Sequence, residues 1–474
     1  MQEKAAGRLD PILVSLGVLL LYLSFPSSLH LFDGVACAIA VELGDFKHLV
    51  HGNHLLYGLA GYLFHRLLLI AGIKLSALWA LQVFDSVLGA AAAGLFCSVL
   101  RRSGAGRFAS LLCSLGLGVS HAYWKWSVEA NAYVLGAFFL LLCLREALSP
   151  RPGPYRLALW HSLAMLSVGA NALFAPVALL ALWRAPAAGR DPRMESAKYL
   201  VAAGAAVLAG YVAAAVLWVQ PETVEEAKLW LLGSGALGPH RTWRWHGRDT
   251  VAQNLLDWIA ASGGAVCKAS WLGAPLWLAA LAAPWLADLS DWPLLASGWL
   301  WLLSYAPLFM FWEPYTLIYR VSDMPALWLA AAPLAARLGR RPWWKALLAA
   351  YAAAVLAVNL RSAFLPDSRP ENNSALQEAL WVASVTPPTA WIAAAGDDQV
   401  YLPYFAHRRP LILFRYQGRE AALVDRVREL QSSGEPVFVT GATLDLGWGG
   451  VFTRIGVSAA SASGKTVLYR VSDL

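Results

Sequence analysis

Residues 75–100 read LSALWALQVFDSVLGAAAAGLFCSVL, and Asp85 is the sole charge in the run. A bilayer's hydrocarbon core is crossed by about 20 apolar residues of helix, and this run is longer than that. No water reaches the backbone there, so its N–H and C=O groups must pair within the segment, which makes it a helix. Working outward, residues 12–25, 202–219 and 346–360 repeat the pattern, and over all 474 residues 58% are hydrophobic and only 14% charged. The chain therefore reads as a mainly α, polytopic transmembrane bundle.

Residues 12–25 form the first transmembrane helix rather than a cleaved signal, because no small-residue cleavage site follows and further spans do. Length alone allows three domains, yet apolar blocks fill the chain to residue 365. The organisation read from it is a membrane domain at 1–365, a polar, turn-rich linker at 366–384 and a small domain at 385–474. In the last, Ala390–Ala395, Pro410–Phe414 and Val437–Thr440 read as strands separated by helices such as Glu420–Leu430, an α/β arrangement. The net charge of +7 belongs to Lys and Arg beside apolar blocks and reports topology, so nucleic acid is not a partner. Five scattered cysteines (Cys37, Cys97, Cys113, Cys143, Cys267) show neither metal-ligand nor disulfide spacing.

Placing the basic clusters at Lys4/Arg8, Arg101/Arg102/Arg107, Arg145–Arg156, Arg184–Lys198 and Arg337–Lys345 inside gives about 11 helices. They run over 11–27, 75–100, 107–122, 128–147, a hairpin in 157–183 broken near Gly169-Ala170-Asn171, 199–219, 264–287, 293–311, 323–338 and 343–363. The C-terminal domain then lies outside a bacterial-type cytoplasmic (inner) membrane. Residues 53–72, interrupted by His65 and Arg66, read as an amphipathic segment at the outer interface.

This topology sends most acids and histidines to the outer face. Asp33 stands about one turn past the first helix, where a partly shielded carboxylate makes a general base; the plainer role is a solvated helix cap. The stretch His48-Leu-Val-His51-Gly-Asn53-His54-Leu-Leu-Tyr57 holds three imidazoles suited to a phosphate, to structural hydrogen bonds or to a metal. Next come His121 and Trp126-Ser-Val-Glu129-Ala-Asn131-Ala-Tyr133, with Lys125 placed four residues before Glu129. Lys228, His240, Arg241, Arg244, His246 and Arg248 crowd one outer loop with three tryptophans, against the topology rule, which points to an anion or to lipid headgroups. Arg320 either pairs with Asp323 or takes a phosphate. Asp85 is the intramembrane acid, and such groups face the protein interior with a partner.

An outer Asp after the first helix, the HGNHLLY stretch at 51–57, the W-x-x-E-x-x-x-Y stretch at 126–133 and a small outer α/β tail together resemble the GT-C superfamily. These are polyprenyl-phosphate-sugar-dependent glycosyltransferases, among them protein O-mannosyltransferases and bacterial enzymes of the cell envelope. Relatives often carry HPP or HPH where this chain has His51-Gly52-Asn53-His54. The resemblance implies an inverting sugar transfer at the outer membrane face to a glycan, lipid or protein acceptor. It implies Asp33, as the base, and Glu129 as catalytic carboxylates, and His51, His54, Tyr57, Lys125, His240, Arg241, Arg244 and Arg320 as substrate-binding groups. A divalent metal is left open, since some relatives use one and others do not. The rival class is a polytopic transporter or lipid flippase. Asp85 and the break at Gly169–Asn171 are its only signs, and no internal repeat accompanies them.

Overall fold

The computed structural model describes residues 2–184, 191–233, 250–463 and 466–472. By its contacts the chain divides into two compact units, one of Met1–Ser27 with Ala40–Pro366 and one of Ser28–Ile39 with Asp367–Leu474.

The first unit is a helical bundle, and its helices follow the apolar blocks. Gln2–Ser24 packs along Ala77–Arg102. The approach is close because Gly94 has no Cβ to meet the Ser15 side chain and the Pro11 carbonyl, the small-residue packing that lipid-embedded helices use. Asp10, buried on the first helix, accepts hydrogen bonds of 2.8–3.1 Å from the Arg107 guanidinium. Ala77–Arg102, Pro192–Val219, Leu289–Phe311 and Pro342–Asp367 are each long and apolar enough to cross a membrane. Leu9–Ser24, Leu55–Ile70, Arg107–Val119, Gly169–Arg184 and Met324–Leu338 are shorter apolar helices.

The break expected near Asn171 is present: Pro154–Ser167 and Ala175–Arg184 flank a 3-10 turn at Gly169–Phe174. Asn171 satisfies the interrupted backbone, donating to the Ala164 carbonyl at 3.0 Å while its own carbonyl accepts from His161 Nε2 at 2.9 Å. Residues 53–72 hold one continuous helix, Leu55–Ile70, which lies on Ala77–Arg102 with Gly61 opposite Leu81.

Two expected helices divide. The single helix expected over 264–287 is instead Val251–Val266 followed by Ser270–Leu286, bent by 83°. Likewise 107–122 ends at Val119, and a separate short helix, His121–Ser127, follows it. One side chain serves both breaks. Asn359, fully buried, donates to the Val119 carbonyl at 2.9 Å and the Val266 carbonyl at 3.1 Å, and accepts from the Lys268 N–H at 2.8 Å. Helix ends leave such groups orphaned.

The second unit is built on a five-stranded sheet of order β2-β1-β3-β5-β4. β1 (Trp391–Ala394) pairs in parallel with both β2 (Arg409–Ile412) and β3 (Val437–Thr440), and β5 (Thr466–Val471) runs antiparallel to β3 and to β4 (Val457–Ser463). Helix Glu420–Ser432 covers the sheet with Leu423, Val427 and Leu430, over Val437, Val439 and Leu411. The Ser28–Ile39 stretch is fastened into this unit. Asn373 donates to the Ser28 carbonyl at 2.7 Å, Tyr401 donates to the His30 carbonyl, and the His30 ring stacks on Phe405 at 5.4 Å. Burial pushes the His30 imidazole down to about 4, so it stays neutral.

Candidate active site

Asp33 lies in the first turn of the helix Phe32–Leu43, and its side chain is exposed. An acid there is favoured by the helix's N-terminal partial charge.

In the first unit the marked segments meet on a polar stripe of Ala77–Arg102. Gln82, Asp85 and Ser86 share one face of that helix at spacings of three and four residues. Gln82 donates to the Ser27 carbonyl at 2.9 Å, and Ser86 donates to the Ser127 carbonyl at 3.0 Å. The Asp85 Oδ2 accepts from the Tyr57 hydroxyl at 2.7 Å and from the Asn131 N–H at 3.0 Å. Asn131 then organises its own turn, donating to the Trp126 carbonyl at 2.5 Å and the Glu129 carbonyl at 3.1 Å and accepting from the Tyr133 N–H at 3.0 Å. Glu129, 1% exposed, accepts from the Ser27 hydroxyl.

The His51–Tyr57 stretch is clamped from outside the stripe. Tyr211 donates to the Gly52 carbonyl and Trp230 Nε1 to the Val50 carbonyl, both at 2.6 Å. A Cβ at residue 52 would collide with the Trp230 backbone carbonyl, so this clamp requires glycine. His54 Nδ1 donates to the Ser167 carbonyl at 3.1 Å. Its ring lies 5.8 Å from His51 and 5.5 Å from Tyr133, which in turn lies 5.8 Å from Tyr319. Burial, aided by His51, pushes the His54 imidazole down to about 4. His54 is therefore neutral and offers a phosphate no charge.

The other expected residues separate. His51 is exposed, and Lys125 sits 5.3 Å from the Trp126 ring centre. Because the helix His121–Ser127 stops at Ser127, Lys125 and Glu129 do not share a helical face as expected. Arg320 is buried, pairs with Asp323 at 3.3 Å and packs its guanidinium 4.3 Å from the Phe309 ring centre. Burial works against its charge and Asp323 sustains it. His48 is paired with Asp45 at 2.6 Å. His240, Arg241 and Arg244 lie outside the described residues. Among the described residues, no three His, Cys, Asp or Glu side chains converge as a metal site.

Sequence reasoning missed Ser27, Gln82 and Ser86, and gave no role to Asn131. The signal for the stripe was there, three polar residues at helical spacing inside an apolar run.

No protein-family model and no curated protein matches the chain. Solved structures do. ArnT from Cupriavidus metallidurans bound to undecaprenyl phosphate superposes with a TM-score of 0.64 at 14% identity, over 98% of this chain and 97% of that one. The apo state of the same protein gives 0.66 at 13% identity, over 100% and 99%. This chain shares the fold of those ArnT structures. Identity this low establishes the fold and leaves the reaction to be argued from the site. The match runs from end to end, so it takes in both the helical bundle and the small sheet domain.

Proposed function

We propose that this protein is an integral-membrane glycosyltransferase that moves a sugar from a polyprenyl-phosphate donor to an acceptor hydroxyl on the extracytoplasmic side, with inversion at the anomeric carbon. The observation that carries this reading is the nearly full-length match to the ArnT fold, one of whose solved forms holds undecaprenyl phosphate. A second support is internal to the chain. The 51–57 and 126–133 segments, singled out by residue type alone, come together on Asp85.

In the proposed reaction the acceptor oxygen attacks the anomeric carbon while the bond from that carbon to the phosphate oxygen breaks. The bonding pair leaves with the phosphate, and the hydroxyl proton passes to the Asp33 carboxylate. A base on the face opposite the leaving group gives inversion. Charge grows on the departing phosphate, so cations and hydrogen-bond donors of the outer loops aimed at it accelerate the step. A lipid-borne phosphate stays at the bilayer surface, which is why a bundle with polar outer segments suits the task. The C-terminal domain belongs on the same side of the inner membrane, since Ser28–Ile39, carrying Asp33, is part of that unit.

The test is transfer of a labelled sugar from polyprenyl phosphate to envelope acceptors by the protein in nanodiscs. Asp33→Asn is expected to slow transfer about 100-fold or more, the range of a lost general base, while inserting and folding as the wild type does. Wild-type rates in Asp33→Asn would remove that residue from the mechanism. A product with retained anomeric configuration would remove the single displacement.

A further inference from the structure

The geometry points to Asp85 as a positioning residue of the transfer site: with Gln82 and Ser86 it sets the placement of the Ser27, Tyr57 and Trp126–Tyr133 segments relative to one another. This rests on the glycosyltransferase reading above. It adds a residue that touches no substrate, being 0% exposed.

Three neighbouring positions on one helical face together bind three segments. Gln82 takes the Ser27 backbone just beyond the first helix, Asp85 takes Tyr57 and Asn131, and Ser86 takes Ser127. One turn further along, a Cβ on Gly89 would collide with the Ser127 side chain, so glycine there lets the short helix His121–Ser127 settle against the stripe. In apolar surroundings an unmade hydrogen bond is expensive, so each segment is held at one register rather than sliding along the helix.

A buried carboxylate is a costly choice for a mere packing position. Here it supplies what an apolar residue cannot. One oxygen accepts from two segments that are 74 positions apart in the chain, the separation of Tyr57 and Asn131. Asn131 passes the constraint on, through its side chain, to the backbone of Trp126, Glu129 and Tyr133. Moving Asp85 therefore moves both Glu129 and the Tyr57 end of the histidine stretch, although neither shares an element with it.

The experiment compares Asp85→Leu, Asp85→Asn and Tyr57→Phe with the wild type, measuring kcat and donor KM for sugar transfer and thermal stability in detergent. Asp85→Leu is expected to lower kcat about 100-fold, the cost of a misplacement near 1 Å, with donor KM changed less than about threefold. Asp85→Asn keeps an acceptor oxygen in the same shape and is expected to recover kcat to within about tenfold of wild type. Should Asp85→Leu not fold, Tyr57→Phe removes a single hydroxyl and is expected to lower kcat about tenfold with KM unchanged. Wild-type kcat in Asp85→Leu or in Tyr57→Phe would overturn the inference. So would a loss that Asp85→Asn fails to repair, because hydrogen-bonded shape would then not be what matters. These outcomes are separable from failure of the functional reading, which would show as a wild type that transfers no sugar.

Discussion

Asn359 shows how much a single side chain can decide in an apolar bundle. Its amide satisfies the last carbonyl of Arg107–Val119, the last carbonyl of Val251–Val266 and the N–H of Lys268. Each buried group left without a partner costs about 1–3 kcal/mol. Asn359→Leu is therefore expected to lower the unfolding free energy by at least about 3 kcal/mol, read as a fall in Tm in detergent. Asn359→Asp keeps the acceptor for Lys268 but loses both donors, and should also be destabilised. A leucine variant as stable as the wild type would show that other groups or water take over these contacts. Nothing in the sequence marks this asparagine, because its partners lie 91 to 240 positions away.

At the scale of elements, the bend between Val251–Val266 and Ser270–Leu286 depends on two glycines. A Cβ on Gly273 would stand 2.5 Å from the Gly263 carbonyl oxygen and 2.6 Å from its Cα, and one on Gly263 would stand 2.7 Å from the Ser270 carbonyl oxygen. Backbone atoms on both sides of a bend cannot step aside as a flexible side chain can. Gly273→Ala is expected to cost about 1–3 kcal/mol, the usual range for overpacking. Gly204→Ala is the matched control: it lies in the helix Pro192–Ala214 with no atom within 4 Å of a Cβ, and should be neutral or stabilising by up to about 1 kcal/mol. Equal Tm values for the two alanine variants would mean that the bend is not held by the glycine contact. Hydropathy at 264–287 could not announce the bend, since the run is apolar on both sides of it, Gly273 reads as a small residue within one helix and Gly263 falls in the loop before it. The strands divide in the same way. β1–β3 are short apolar runs and were legible, whereas β4, reading VSAASAS, has no apolar alternation and becomes a strand by pairing with β5 across a bulge at Ala459/Ser461.

For the whole molecule, the proposed topology makes a direct prediction. Alkaline phosphatase fused after Leu474 is expected to be active and a green fluorescent protein fused there dark, as for an extracytoplasmic C-terminus, with the opposite signals at a truncation after Ser103. A fluorescent C-terminal fusion would place the small domain, and with it the Ser28–Ile39 stretch that carries Asp33, on the cytoplasmic side.

The sequence by itself determined that this chain is a bundle of apolar helices followed by a small α/β domain, and it marked the Asp33, His51–Tyr57 and Trp126–Tyr133 segments. Hydropathy is a local property: a run without charges must satisfy its backbone internally wherever it sits, so it is readable without knowing its neighbours. Only the tertiary structure decided which polar residues meet. It brought Tyr57 and Asn131 to one oxygen of Asp85, gave the Val119 and Val266 carbonyls to Asn359, spent the charge of Arg320 on Asp323, and assigned Ser28–Ile39 to the unit of the C-terminal sheet. Those partners are fixed by packing between distant parts of the chain, and a buried polar group takes whichever partner the packing brings within reach.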